Sequence, residues 1–163
     1  MKTKPTRSWD YNRLALLSAF AVALGYLQAL ARLYVHRILA IGPLAAHFDP
    51  NALQQAPDWL ISSQQTGQVA LIILLTVLAL LVARRLSHRL GVFVFVGGLA
   101  RLIYYGSLKV AAGWPASWTT QDCLLWIPRP WYGQIWIALV VSAGAVALGL
   151  LLLRGFGRYP SSS

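Results

Sequence analysis

Apolar residues run almost unbroken over four stretches, about 14–39, 66–83, 90–112 and 134–153, with polar sequence between them. Crossing the hydrocarbon of a bilayer takes about 20 apolar residues in a helix, with a range of about 17–25. The pattern therefore predicts four transmembrane helices. Loops are expected at about 40–65 and 113–133. Where polar residues interrupt the apolar runs, they do so at helical spacing. In helix one, Leu14 to Leu27 is plain lipid-compatible sequence, and then Gln28, Arg32 and His36 fall four apart on one face, with Gly25 a turn before. Tyr34 and Arg37 point elsewhere. Helix two is rich in Leu, Ile and Val and carries no charge, so much of its surface is expected to meet lipid. Helix three is the anomaly. Its uncharged run, Leu90 to Ala100, ends at Arg101, well short of a full crossing. Arg101, Tyr105 and Lys109 again share a face, and Gly97 and Gly98 before them permit a close helix contact. In helix four the small residues Ala138, Ser142, Ala145 and Gly149 form a stripe suited to packing on a neighbour.

The connections carry their own signals. Gly42-Pro43, Asp49-Pro50-Asn51 and Pro57-Asp58-Trp59 are turn sequences, and 51–63 has room for a short surface helix. The stretch from Gly113 to Gly133 holds Trp114, Trp118, Trp126 and Trp131 among Pro115, Pro128 and Pro130. It is too rich in Pro and Gly for one straight helix, and too rich in Trp for a solvated loop. Trp gathers at the headgroup level of a membrane, where one side of the ring is apolar and the other wet. A structured aromatic segment lying on one membrane surface is expected there. It either anchors the fold as part of an aromatic belt or offers stacking faces to a flat lipophilic ligand such as a quinone or pigment.

Composition supports the same class. Of 163 residues 58% are hydrophobic and 11% charged, and the mean hydropathy is +0.59, whereas soluble domains carry about 25% charged residues. The formal net charge is +10, from 14 Lys and Arg against four Asp: Asp10, Asp49, Asp58 and Asp122. On a soluble domain such a charge would point to nucleic acid. Here its distribution explains it, and no nucleic-acid partner is expected. Lys2, Lys4, Arg7, Arg13, Arg84, Arg85, Arg89, Arg154 and Arg158 fall on one side of the four predicted helices, while the loops on the other side hold Arg129 with Asp49, Asp58 and Asp122. The positive-inside rule then puts both termini in the cytoplasm and the aromatic segment outside. The expected location is the cytoplasmic (inner) membrane of a prokaryote, as a multi-pass protein. A basic N-terminus before an apolar run resembles a signal peptide, but the run is longer than an h-region and lacks a clear cleavage site, so an uncleaved first helix is expected. Asp10 is placed to cap its first turn, with Trp9 and Tyr11 at headgroup level.

The candidate chemistry is sparse. Cys123 is the single cysteine, so neither an internal disulfide nor a cysteine-based zinc site can form, and a small buried residue is expected there. No Ser/His/Asp, Cys/His or phosphate-loop pattern is present, carboxylates are too few for paired acid–base work, and no motif names a cofactor. His36, His47 and Asp122 would have to meet to hold a metal, and their spacing is not diagnostic, so no metal site is expected. What remains is intramembrane charge, which is expensive and needs a reason. Arg32, Arg37 and Lys109 lie near helix ends and can snorkel to lipid phosphates. Arg101 lies deepest. Either it and Arg32 bind an anion or an acidic partner, or Arg101 finds a carbonyl cluster, a lipid headgroup or Asp122 folded inward.

One resemblance goes further than composition. Tyr104-Tyr105, Lys109, Gly113-Trp114-Pro115-Ala116-Ser117, Asp122 and Ile127-Pro128-Arg129-Pro130-Trp131 resemble a family of small prokaryotic four-helix membrane proteins of unassigned function, with a weaker likeness around Gly25-Tyr26. The likeness implies the fold and no activity. In that family helix one has an acid where this chain has Gln28, and a Trp-Asp pair stands where this chain has Ala100-Arg101.

The sequence thus predicts an all-α integral membrane protein, one domain of four helices. Its leading expected role is a non-catalytic accessory subunit of a larger membrane complex, with the bilayer and other membrane subunits as partners. The alternative is a small membrane enzyme or carrier for a lipophilic or anionic ligand, such as a quinone, pigment or lipid, at the outer leaflet. Gln28, Arg32, His36, Arg101, Tyr105, Asp122, Trp118, Trp126 and Trp131 are the expected ligand- or partner-binding residues.

Overall fold

A computed structural model describes residues 7–38, 58–125, 127 and 131–154, with 7–10, 35–38, 58 and 60 described by backbone alone. Four helices and one small sheet follow in the order α1 (Arg7–Ile38), α2 (Asp58–Val82), α3 (Leu86–Ala112), β1 (Gln121–Leu125), β2 (Trp131–Gln134) and α4 (Ile135–Arg154). Each helix is long and apolar enough to cross a membrane, as expected of a multi-pass membrane protein.

Three helices begin earlier than the hydropathy indicated. α1 starts at Arg7 rather than near 14, and α3 at Leu86 rather than near 90. α2 starts at Asp58 rather than near 66, so the C-terminal part of the expected surface helix is continuous with it. The reason is that polarity does not break a helix. Ser62 to Thr66 are polar but helix-compatible, and Thr66 returns its hydroxyl to the Ser62 carbonyl at 2.8 Å. The stretch of the first loop from 39 to 57 lies outside the described residues.

α3 is the hub: it packs against α1, α2 and α4, whereas α2 has extensive contact with α3 alone. Small residues set these approaches. A Cβ on Gly25 would run into the Ala100 carbonyl oxygen and the Ile103 side chain, so α1 and α3 cross backbone to backbone there. On the opposite side of α3, a Cβ on Gly98 would lie 2.7 Å from the Ser142 carbonyl oxygen, and one on Gly149 would lie 2.6 Å from Phe95 Cβ. The stripe on α4 therefore packs on α3, with Ala138, Ser142 and Gly149 buried.

Two apolar clusters result. One, at the Leu86 end of α3, gathers Leu17, Ala21, Leu75, Ala79, Val92, Phe95 and Val96 from α1, α2 and α3. The other, at the Ala112 end, gathers Ala29, Tyr104, Tyr105, Leu108, Trp114, Ile135 and Ala138 from α1, α3, α4 and the turn after α3. The helix ends are satisfied locally. Arg89 Nε donates to the Ala83 carbonyl at 3.0 Å after α2. At the C-terminus of α3, Gly113 adopts φ 67 and its N–H bonds the Lys109 carbonyl at 3.0 Å.

The expectation of an all-α protein is corrected by the segment after α3. It forms a two-stranded antiparallel hairpin, with Asp122 paired to Gly133 and Cys123 to Tyr132, in a chain that is otherwise helical among the described residues. Pairing shifts between Cys123 and Leu125, a bulge-like irregularity. The hairpin folds back onto the bundle: Asp122 and Cys123 are buried, at 2% and 3% exposure. The Trp114–Pro115 peptide in the preceding turn is cis. Ile135 and Trp136, whose N–H groups begin α4, donate to the Thr120 and Trp118 carbonyls at 3.0 and 3.2 Å.

Candidate functional site

The site is assembled where α3 passes under the hairpin. Arg101 projects from the middle of α3, half-buried, and donates from a terminal guanidinium nitrogen to the Leu124 carbonyl at 3.2 Å. Its guanidinium carbon also lies 5.4 Å from the Tyr104 ring centroid and 5.3 Å from that of Tyr105. Two aromatic faces and a carbonyl dipole thus stand around one cation, each attractive to positive charge.

Asp122 lies beside this group. Its Oδ2 accepts from the Tyr105 hydroxyl at 2.8 Å, and its Oδ1 accepts from the Cys123 N–H at 2.7 Å. Tyr105 therefore joins two charges: its hydroxyl holds the carboxylate while its ring faces the guanidinium. The ring is fixed by Tyr104, 5.0 Å away edge-on, and by Trp114, 6.2 Å away. Asp122 belongs by sequence to the segment expected outside the membrane, yet it is folded inward against α3. That contact and the Arg101–Leu124 bond tie both ends of β1 to α3.

Beside this network a cavity of about 400 Å³ opens between α1 and α2. Its walls are Leu24, Gln28, Ala31 and Arg32 from α1 and Gln64, Gly67, Gln68, Leu71 and Leu74 from α2. Arg101 and Tyr104 of α3 and Asp122 and Cys123 of β1 complete it. The opening exists because α1 and α2 both lean on α3 and have little contact with each other. Small-molecule sites are of this size, about 300–1,000 Å³, with a few polar groups converging on a largely apolar wall. Arg32 is near enough to act electrostatically on Cys123 and Tyr132. Burial is the largest influence on the Cys123 thiol and, with the Asp122 carboxylate next to it, pushes it up to about 11. Its Sγ contacts the Leu125 carbonyl at 3.2 Å. A thiol held protonated in this way is a weak nucleophile at neutral pH and serves as a small wall residue.

The expected site residues divide into those that meet and those that do not. Gln28, Arg32, Arg101 and Asp122 meet around the cavity, and Tyr105 supports it from behind. Trp118 and Trp131 do not: they are 72% and 59% exposed and face away. Trp126 lies outside the described residues, as does the His36 side chain. Lys109 leaves the Arg101 face and bonds the Pro115 carbonyl at 2.7 Å, which steadies the C-terminus of α3. Among the described residues no three His, Cys, Asp or Glu side chains come together as a metal cluster.

Sequence reasoning misses Gln64 because the stretch up to about 65 reads as a loop, and it passes over Gly67 and Gln68 at the start of an apolar run that otherwise looks featureless. Gln64 and Gln68 are four apart and would have marked a polar face had the helix been extended through them. It also missed Trp114, which is 3% exposed and packs in the core rather than at an interface. No family model, no curated protein and no solved structure matches this chain.

Proposed function

We propose that the chain is a multi-pass protein of the prokaryotic cytoplasmic membrane, with both termini inside, that binds an anionic, lipid-soluble ligand without catalysis. The observation that carries this reading is the convergence of Arg32 and Arg101, from different helices, on one cavity between two apolar helices. A cation at mid-helix costs about 2.5–3.5 kcal/mol on insertion scales, and an anion at the cavity would offset part of that cost. The exposed Ile72, Ile73, Val77, Leu80 and Leu81 on α2 are what a lipid-facing wall requires. The lopsided distribution of Lys and Arg supports the orientation.

Native mass spectrometry after extraction in a mild neutral detergent tests this. The wild-type chain should retain an anionic small molecule, Arg101→Leu should lose it, and Arg101→Lys should keep it only partly because the planar fork is gone. Gly67→Trp should also release it, because a Cβ at Gly67 meets nothing within 4 Å and the added ring enters the cavity mouth rather than the core. Equal retention by all four proteins would sink the reading.

A second reading, an accessory subunit of a larger membrane complex, is favoured by one observation. α2 has extensive contact with α3 alone, and the rest of its surface is free to take a partner helix. A stoichiometric protein partner released by substitutions on the outer face of α2, with no small molecule bound, would support that reading instead.

A further inference from the structure

The cavity has a direction. Along α1 its wall runs Leu24, Gln28, Arg32, and along the antiparallel α2 it runs Leu74, Leu71, Gln68, Gln64. Both series pass from apolar to polar toward the hairpin end, over about 12 Å on α1 and about 15 Å on α2 at 1.5 Å per residue. Two helices of opposite chain direction therefore present the same gradient. The charges follow it: Arg32 and Asp122 line that end, and the Arg101 side chain reaches toward it from mid-helix to bond the Leu124 carbonyl. With Asp122 committed to Tyr105 and to the Cys123 N–H, that end carries one positive charge in excess of its carboxylate. The gradient has the polarity of a lipid molecule whose head sits beneath the hairpin and whose chain points to the middle of the bundle.

We infer that the ligand is an amphiphile with a singly charged oxyanion head and a hydrocarbon chain, seated head toward Arg32 and Arg101 and tail toward Leu24, Leu71 and Leu74. This rests on the proposed binding function and narrows it to one ligand class and one orientation. Two arginines and the flanking glutamine amides offer N–H donors to the head, as phosphodiester and carboxylate groups require. Because α1 and α2 have little contact with each other, the chain can leave between them, and the ligand enters from the lipid side without passing the hairpin. A doubly charged head is disfavoured by the Asp122 carboxylate at the same end. A free anion leaves the apolar half of the cavity without a partner.

The test uses the whole chain in a neutral maltoside detergent and three probes. They are lauroyl lysophosphatidylglycerol, its uncharged counterpart monolauroylglycerol, and glycerophosphoglycerol, which is the head without the chain. Affinities are read by native mass spectrometry for the wild type, Arg32→Gln and Leu74→Gln. Leu74 lines the apolar end and is 43% exposed, so the glutamine changes the tail wall without entering the core. The charged amphiphile should bind at least tenfold tighter than either half-probe. Arg32→Gln should weaken the charged amphiphile and the head alone, whereas Leu74→Gln should weaken only the probes that carry a chain. If glycerophosphoglycerol binds as tightly as the amphiphile, the orientation inference is overturned while the anion site stands. If monolauroylglycerol binds as tightly, or if no probe binds, the anionic reading falls with it.

Discussion

Removing one oxygen, in Tyr105→Phe, is expected to loosen the hairpin, and the chain carries its own reporter. The Tyr105 hydroxyl donates to Asp122 Oδ2 at 2.8 Å in a buried site. Without it the carboxylate keeps the Cys123 N–H at 2.7 Å and loses its other partner. A hydrogen bond to a charged group contributes about 1.5–3 kcal/mol. The ring itself stays, so its packing on Tyr104 and Trp114 and its face toward Arg101 are retained. Cys123, the single cysteine, is 3% exposed in the closed hairpin even though it lines the cavity, so a maleimide reaches its thiol far more readily when β1 lifts away. At about 1.4 kcal/mol per tenfold, the alkylation rate should rise roughly 10- to 150-fold. Trp118→Phe, at a ring 72% exposed, is the control and should leave the rate unchanged. A Tyr105→Phe rate within about twofold of wild type, with helix content intact, would refute the argument that this bond holds the hairpin down.

Three further outcomes follow from other parts of the molecule. The Cys123 thiol, raised to about 11 by burial, should make the closed hairpin less stable as pH rises from about 8.5, where an exposed thiol ionises, toward that value. Alkylation normalised to a free thiol should therefore keep climbing across that window, and levelling off near 8.5 would contradict it. Gly25→Leu should cost about 1–3 kcal/mol by forcing α1 off the Ala100 carbonyl, whereas Gly67→Ala, with open space at its Cβ, should not lower the melting temperature in detergent. Reporter fusions after Arg89 and Ser163 should read cytoplasmic and one after Asn51 external; an external C-terminus would defeat the proposed orientation.

The sequence exposed the helices because period and length are local properties. The small stripe on α4 and the glycines before Arg101 were legible for the same reason, since close approach requires small residues. The Arg32 and Arg101 faces were visible as charge where charge is costly. The hairpin was not, because a Trp- and Pro-rich stretch matches both an interfacial belt and a folded turn. The clues that separate them are short: Cys123-Leu124-Leu125 and Trp131-Tyr132, strand-forming residues on either side of Pro128 and Pro130 in the sequence. Nor could the sequence give the partner of Arg101. A backbone carbonyl such as that of Leu124 has no sequence signature, since every residue carries one. The cavity depends on what α1 and α2 fail to do, and a missing contact leaves no pattern in the chain.

The Arg101–Leu124 bond also has a consequence in time. Its two residues are separated by 23 positions, with Arg101 made first. At a synthesis rate of about 5–20 residues per second, Arg101 emerges about 1–5 s before its carbonyl exists. α3 has the lowest hydropathy of the four helices, 1.5 against 1.9, 2.2 and 2.5. If the chain spans a bilayer as proposed, α3 reaches lipid as the least comfortable segment while every other helix depends on it for packing. Its first available shelter is α1, already synthesised, through the Gly25–Ala100 crossing. Membrane entry of this chain is then not four independent insertions. α3 is expected to remain in protein surroundings, against α1, until the hairpin and α4 arrive together to close over Arg101.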